Sequence, residues 1–201
     1  MAKVRFGIVG VGDFGVMHIQ TLKQIPEAEL VAVSCRTQSR LKALCEEYDI
    51  PKWYTDVDEL VNDADIDVVI VATGEDTHYS FTEKAIHAGK HVLLEKPICL
   101  SVEDGEKLLA LDQSTELHIL PGHILRYDAS YNNAHRILQD AKKHGEIQSI
   151  RVKRNVPVER FSLHSRTHPV FMALAHDIDI ITWLTGSRVK KVCGMEKRTK
   201  E

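Results

Sequence analysis

The sequence of 201 residues lacks a long apolar run and a strong excess of charge of one sign. No apolar stretch approaches the length that would cross a bilayer, so a membrane-spanning protein is not expected. The formal net charge of -3 provides no electrostatic attraction to nucleic acid or to an anionic membrane. Lys3 and Arg5 precede no long apolar segment, so we expect no signal peptide and a cytoplasmic location.

The sequence also lacks the spacings with which cysteine and histidine bind metals. None of the four cysteines belongs to a CxxC pair, so neither a zinc site nor a disulfide framework is predicted. We expect free thiols in a reducing compartment at Cys35, Cys45, Cys99 and Cys193. The eleven histidines are dispersed and form no HExxH motif, so we predict no metal site.

A glycine-rich turn stands near the start of the chain, Gly10-Val11-Gly12-Asp13-Phe14-Gly15. The apolar run over residues 6–9 predicts a buried strand before it, and the apolar spacing over residues 16–25 predicts a helix after it. In this context Gly10 permits a tight turn, Gly12 lets a pyrophosphate approach the backbone, and Gly15 lets the helix pack closely on the strand. The helix start then presents free N–H groups to the phosphates. The turn therefore predicts dinucleotide binding, with an ordinary strand-to-helix loop as the alternative.

Strands and helices alternate along residues 1–121. The predicted strands are 6–9, 30–34, 52–54, 67–72, 91–94 and 118–120, and the predicted helices are 16–25, 39–48, 57–61, 78–88 and 101–111. This alternation predicts an α/β fold, a Rossmann-type doubly wound parallel sheet with helices on both faces. Right-handed crossovers place the carboxyl end of every strand on one edge, where ligands bind. That edge is predicted to hold residues 10–15, 34–36, 73–78 and 95–97.

The pattern changes after Pro121-Gly122, so we predict a nucleotide-binding domain over residues 1–121 and the start of a second domain over residues 122–201. A helix is expected at 130–143, a half-exposed strand at 149–155, an apolar helix at 171–184 and a further strand at 189–195. These elements predict part of an α+β open-sheet domain, with too few strands for a complete substrate-binding sheet.

Several motifs occur in order along the chain: the glycine turn, Ala72-Thr73 with His78, Glu95-Lys96-Pro97, Gly122-His123 with Arg126-Tyr127, and His176-Asp177-Ile178-Asp179. Together they resemble the glucose–fructose oxidoreductase, inositol dehydrogenase and rhizopine-catabolism (Gfo/Idh/MocA) oxidoreductase family. The resemblance implies reversible oxidation of a secondary alcohol on a sugar, nucleotide-linked sugar or cyclitol by a nicotinamide nucleotide. It also implies a C-terminal domain that binds substrate and forms homo-oligomers.

The resemblance places Lys96 beside the nicotinamide and the substrate hydroxyl, where an ammonium can donate to developing oxygen charge. The alternative for Lys96 is a solvated surface lysine. His176 is the candidate general base, because imidazole titrates near neutral pH; the alternative is a core histidine on an apolar helix. Asp179 could share a helix face with His176 and orient it.

Residues after the last strand of the first domain are candidate substrate contacts, although Tyr127 could instead pack at the domain junction. Thr77 and His78 could cap the following helix and touch the cofactor, and capping alone would explain Thr77. The predicted substrate contacts are Lys96, His123, Arg126, Tyr127, His176 and Asp177.

The end of the second predicted strand bears on the choice between NAD and NADP. An NAD-binding protein usually places a carboxylate there on the ribose 2′-hydroxyl, and residues 34–40 contain none. Arg36 and Arg40 could pair with a 2′-phosphate, so NADP is favoured; if Arg36 stacks on adenine instead, NAD is usable. The predicted cofactor contacts are Gly10, Gly12, Asp13, Phe14, Gly15, Cys35, Arg36, Arg40, Thr73, His78, Glu95 and Lys96.

Two other functions remain open at this stage. A non-catalytic nucleotide-binding or regulatory protein is suggested by Met172, because the family often has an aspartate four residues before the histidine. A methyltransferase that binds adenosylmethionine is weaker, because its glycine turn does not need Gly15 and it leaves Glu95-Lys96-Pro97 unexplained.

Overall fold

The computed structural model describes residues 2–155, 167–168 and 170–195. The chain divides into two compact units, Met1–Gly122 and His123–Glu201. We call them the first and the second unit and describe each by itself.

The first unit alternates strands and helices. Its strands are β1 (Val4–Val9), β2 (Ala28–Ser34), β3 (Lys52–Tyr54), β4 (Val68–Val71), β5 (His91–Leu94) and β6 (Ile119–Pro121). Its helices are α1 (Asp13–Leu22), α2 (Gln38–Tyr48), α3 (Val57–Val61), α4 (His78–His87) and α5 (Val102–Gln113), with a short 3-10 turn, Glu75–Thr77, before α4.

All six strands form one parallel sheet in the order β3-β2-β1-β4-β5-β6. The chain runs outward from β1 to one side and then from β4 to the other, which is the doubly wound arrangement. This confirms the predicted α/β fold. It also places the carboxyl ends of β1, β2, β4 and β5 along one edge.

Apolar side chains cover both faces of this sheet. Consecutive strand residues point to opposite faces, so Ile8 and Val9 enter different core clusters, and Ile70 lies in the opposite cluster from Val69 and Val71. Each of these side chains is at most 1% exposed. The strands therefore appear in the sequence as continuous apolar runs, as expected for a sheet buried on both faces.

Side-chain caps fix the start of two helices of the first unit. The backbone N–H of Asp58 donates to Asp56 Oδ1 at 2.9 Å, and that of Asp104 donates to Ser101 Oγ at 3.0 Å. The predicted capping role of Thr77 is wrong, because its side chain makes no cap hydrogen bond to α4. Its hydroxyl instead donates to the carbonyl oxygen of Gly74 at 2.7 Å.

The described part of the second unit is helical. A 3-10 turn, Ile124–Tyr127, leads into α6 (Ala129–Leu138) and α7 (Ala141–His144), and a π-helical turn, Val170–Leu174, leads into α8 (Ala175–Thr185). Gly186 ends α8 in the left-handed conformation, with φ +60°. None of the helices in the described part of the chain is long and apolar enough to cross a membrane.

The strands predicted at 149–155 and 189–195 are wrong, because the structure describes both segments and neither forms regular secondary structure. Their alternating pattern is that of a half-buried strand, but a strand exists only when its backbone groups pair with a neighbour. Val189 and Val192 are 58% and 84% exposed, so the apolar side chains of the second segment do not form a buried face here.

Candidate functional site

Backbone hydrogen bonds continue past the strand ends and hold the loops of the first unit next to one another. The N–H of Gly10 donates to the Ser34 carbonyl at 2.8 Å, and the N–H of Ala72 donates to the Val9 carbonyl at 2.8 Å. The N–H of Glu95 donates to the Val71 carbonyl at 3.0 Å. The segments that the sequence placed on the ligand edge therefore start from adjacent, fixed positions.

Two glycines of the turn are required by the backbone itself. Gly10 has φ +93°, and a Cβ there would lie 2.5 Å from the carbonyl oxygen of Ala72. A Cβ on Gly15 would overlap the carbonyl oxygen of Gly10. The tight turn and the close approach of α1 to it therefore exclude any side chain at these two positions.

Gly12 differs, because a Cβ there would meet no protein atom within 4 Å. It is the residue before α1, and no side chain caps this helix start. The first N–H groups of α1, including those of Asp13 and Phe14, have no partner within the helix. The open space beside Gly12 and these donors together fit a phosphate group, so the turn suits a dinucleotide pyrophosphate.

The loop after β2 brings one arginine to the glycine turn. Arg40, in α2, donates from Nε to the carbonyl oxygen of Val11 at 2.8 Å and keeps an exposed side chain. Arg36 is exposed as well, while Cys35 is half-buried and its thiol lies 3.5 Å from the Thr37 carbonyl. The structure thus places a guanidinium beside the phosphate-binding turn.

His78 links two loops of this edge from inside the protein. Its side chain is 1% exposed, with Nδ1 2.6 Å from the Pro97 carbonyl and Nε2 3.3 Å from the Thr73 carbonyl. Both ring nitrogens therefore face backbone oxygens. The peptide between Lys96 and Pro97 is cis. This placement favours a role for His78 in holding the loops rather than the direct cofactor contact that the sequence suggested.

The two residues before Pro97 are connected to α1, and the first of them is buried. Glu95 has a side chain only 10% exposed, its Oε1 lies 2.8 Å from His18 Nε2, and its Oε2 accepts the Lys96 backbone N–H at 3.2 Å. Burial alone would raise the pKa of Glu95, but the hydrogen bond and charge of His18 outweigh it and hold this pKa below the usual value. The Lys96 ammonium lies 5.4 Å from the centroid of the Phe14 ring.

Sequence reasoning missed His18 entirely. Its partner Glu95 is 77 residues away, and only the parallel pairing of β1, β4 and β5 brings the two together. The one local signal was a histidine four residues after Phe14, within the helix that follows the glycine turn.

In the second unit, two arginines hold two aspartates of α8. Arg126 binds Asp179 with Nε to Oδ2 at 2.9 Å and a second bond at 2.5 Å, and Arg154 binds Asp177 with bonds of 2.6 and 2.7 Å. Both carboxylates have side chains below 10% exposed. These hydrogen bonds raise the pKa of both arginines, so both guanidinium groups stay charged.

The other predicted residues of this unit lie around the same aspartates. His123 Nε2 is 3.6 Å from Asp179 Oδ1, and burial lowers the pKa of His123 although Asp179 opposes this. His176 lies in the first turn of α8, Met172 lies in the preceding π-helical turn, and the Tyr127 side chain is 77% exposed. Arg126 and Asp177, predicted to touch substrate, are therefore each already paired with a charged residue of their own unit.

The sheet order and the open glycine turn at the start of α1 define a dinucleotide-binding protein of the Rossmann class. A family model described as an oxidoreductase family with an NAD-binding Rossmann fold matches residues 4–123. The chain belongs to this family, the Gfo/Idh/MocA oxidoreductases, which confirms the resemblance drawn from the motifs.

Known relatives support the same assignment. The chain is 27% identical to myo-inositol 2-dehydrogenase of Thermotoga maritima over 94% of its own length, and 30% identical to scyllo-inositol 2-dehydrogenase (NAD(+)) of Bacillus subtilis over 96%. It spans 57% of each of these two proteins. The structure of apo scyllo-inositol dehydrogenase from Lactobacillus casei superposes with a TM-score of 0.86 at 30% identity, covering 92% of this chain and 55% of that one. The same enzyme with NAD(H) and scyllo-inositol bound gives a TM-score of 0.83 at 30% identity, covering 92% of this chain and 56% of that one.

Proposed function

We propose that the chain is an oxidoreductase that transfers a hydride between a nicotinamide cofactor and a secondary alcohol of a cyclitol, sugar or nucleotide-linked sugar. One observation carries the proposal: the open turn at Gly12 lies on the same sheet edge as the buried Glu95 and the adjacent Lys96. The relatives named above are inositol dehydrogenases, which supports a cyclitol as the substrate class.

Lys96 and His176 are the proposed catalytic residues. When bound, the nicotinamide accepts or supplies the hydride. Lys96 would donate a hydrogen bond to the substrate oxygen as negative charge develops on it. His176 would take the hydroxyl proton, since imidazole can exchange a proton near neutral pH. His123, Arg126, Tyr127 and Asp177 remain proposed substrate contacts.

We also propose which nicotinamide nucleotide is bound, namely NADP in preference to NAD. The family description and the relative with bound NAD(H) concern NAD, whereas Arg40 beside the turn and the lack of a carboxylate at residues 34–40 favour a 2′-phosphate. We assign the 2′-phosphate to Arg40 and Arg36. One charge-assisted hydrogen bond is worth roughly 1.5–3 kcal/mol, which is about tenfold or more in affinity.

Parallel calorimetric titrations with NADH and NADPH test this assignment. Tighter binding of NADPH that Arg40→Ala reduces about tenfold, with NADH binding little changed, would support it. The exposed Lys23→Ala serves as the matched loss of one positive charge. Equal affinity for both nucleotides, or an equal loss of both in Arg40→Ala, would remove the preference for NADP.

Turnover tests the catalytic assignment. The chain is supplied with myo-inositol or scyllo-inositol and with NAD or NADP, whichever binds more tightly. Reduction of the nucleotide is followed by its absorbance. Lys96→Met should lose turnover, with nucleotide binding measured separately by calorimetry and turnover compared at saturating nucleotide. Reduction at the wild-type rate by this variant would show that Lys96 is not catalytic.

A non-catalytic nucleotide-binding protein is the second candidate. Met172 favours it, because this side chain cannot titrate and stands four residues before His176. Tight nucleotide binding without turnover of any cyclitol or sugar would support this candidate, and turnover by the purified chain would exclude it.

A further inference from the structure

Two side chains of α1 contact the segment that contains Lys96. Phe14 and His18 are four residues apart and therefore share one face of the helix. Phe14 contacts Lys96, and His18 contacts Glu95, so two neighbours on one helix face hold two consecutive residues of the loop after β5. Neither contact is needed to form the glycine turn, whose geometry depends on Gly10 and Gly15.

The contact between His18 and Glu95 is a directed hydrogen bond. An ionised carboxylate can only accept, so His18 Nε2 is the donor across the 2.8 Å to Glu95 Oε1. The other carboxylate oxygen accepts the backbone N–H of Lys96 at 3.2 Å. Glu95 thus connects α1 to the backbone of Lys96.

The contact between Phe14 and Lys96 concerns the reactive end of the lysine. Its Nζ lies 5.4 Å from the ring centroid, within the range of a cation–π interaction. Phe14 is in the first turn of α1, directly at the donors that fit a phosphate, and it remains 44% exposed. The ring therefore adjoins both the phosphate-binding end of the helix and the ammonium.

We propose that Phe14 and His18 are positioning residues that couple occupation of the phosphate-binding turn to the placement of the Lys96 ammonium. This inference rests on the proposed function for the role of Lys96. A phosphate that orders the first turn of α1 also fixes Phe14, and His18 fixes the backbone of Lys96 through Glu95.

The position of Lys96 can be followed by NMR in the chain labelled with 13C at the lysine ε carbon. The Lys96 signal is identified by its loss in Lys96→Arg. Without ligand, the Phe14 ring should shift the ε protons of Lys96 upfield; Phe14→Leu should remove this shift and Phe14→Tyr should retain it. His18→Ala should reduce the shift, and His18→Gln, which keeps a donor, should restore most of it. His87→Gln, an exposed histidine of α4, is the matched control and should change nothing.

ADP then tests the coupling, because it supplies the pyrophosphate and lacks the nicotinamide and its ribose. Addition of ADP should move the Lys96 signal in the wild-type chain and leave it in place in the Phe14→Leu/His18→Ala double variant, with ADP binding verified by calorimetry. Movement of the signal in both proteins, or in neither while ADP binds, would overturn the coupling.

The outcome is separable from that of the proposed function. If neither ADP nor NADH binds, the proposed function fails, and the ligand-free comparison still decides whether Phe14 and His18 position the lysine. If both bind and the Lys96 signal is identical in wild type, Phe14→Leu and His18→Ala, the positioning role is wrong while the nucleotide site stands.

Discussion

In the first unit, apolar side chains buried on both faces of the sheet hold the strands, whereas in the second unit two arginines hold two buried carboxylates. Among the residues that the structure describes, every buried apolar side chain except Ile180 belongs to Met1–Gly122. The buried residues of α8 are Asp177, Asp179 and Ile180. Within the described residues, burial of apolar side chains is therefore the main contribution in the first unit, and a few directed charge pairs take that place in the second.

This difference explains what each unit can offer a ligand. A sheet fixed by its own core can leave the turn at Gly12 open and uncapped without loss of order. In the second unit, the residues proposed for substrate are themselves part of what holds α8 in place. Changes there should affect structure and recognition together, while in the first unit the two can be separated.

The largest expected effect is that of Gly15→Ala in the first unit. The new Cβ would overlap the backbone oxygen of Gly10, which no side-chain movement can relieve. We expect a loss of at least about 3 kcal/mol in the free energy of unfolding, measured by urea with Trp53 fluorescence in a Trp183→Phe background. Gly12→Ala is the matched control and should lose no more than about 1 kcal/mol, because alanine is less favourable than glycine at a helix N-cap but its Cβ meets no protein atom here. Equal stability of both variants would contradict the described packing of α1 on the turn.

A smaller effect is expected from Asp179→Ala in the second unit. It leaves Arg126 without its buried partner, but this arginine keeps 40% of its side chain exposed and can reach water. We therefore expect a loss of about 1.5–3 kcal/mol, followed by Trp183 fluorescence in a Trp53→Phe background. Lys107→Ala, which removes one partner of an exposed pair with Glu103, should change the stability of the first unit by about 0.5 kcal/mol or less. If Asp179→Ala and Lys107→Ala lowered the free energy of unfolding by the same amount, the charge pairs of α8 would contribute no more than an exposed pair, which would contradict their proposed role in the second unit.

A more gradual effect is expected from pH on the second unit. Burial holds the pKa of His123 below its ordinary 6.5 in the folded chain, so the unfolded chain takes up the proton more readily. Its contribution to stability is then complete above about pH 6.5 and is lost as the pH falls through the folded-state pKa. The urea midpoint reported by Trp183 should decline accordingly, and His123→Gln should flatten the decline.

The matched control for this pH effect is His144→Gln, which replaces an exposed histidine of the same unit. The urea midpoint is the correct readout, because the His135 ring stacks on Trp183 with 3.9 Å between ring centroids and can alter the fluorescence intensity directly. A decline that persists unchanged in His123→Gln would show that another group is responsible.

The fold of the first unit was predictable because its signals are local. These signals each act over a few residues: apolar runs of strand length, the caps at Asp56 and Ser101, and glycines at turns. The right-handed crossover rule then determines how the strands are connected in the sheet. The glycine turn and Glu95-Lys96-Pro97 fall at strand ends for the same reason. The sequence alone was therefore enough to predict the architecture of the first unit and the sheet edge on which the candidate site lies.

The parts that could not be predicted depend on contacts between distant segments. The hydrogen bond from His18 to Glu95 forms only because the strand order of the sheet brings the two residues together. The hydroxyl of Thr77 donates to the Gly74 carbonyl oxygen and does not cap the start of α4. The alternating segments at 149–155 and 189–195 have the composition of strands but no pairing in the described structure. An alternating pattern shows which side chains would share one face of a strand, but it does not show whether a neighbouring strand is present to pair with it.

The most direct test of the central claim is nucleotide binding by wild type and Gly12→Ala, measured by calorimetry beside their unfolding curves. We predict that wild type binds NADH or NADPH, and that Gly12→Ala stays folded but loses at least about tenfold in affinity, because the new Cβ enters the open space at the start of α1. Unchanged binding by Gly12→Ala, or no binding by a folded wild-type chain, would contradict the assignment of this turn as the dinucleotide site.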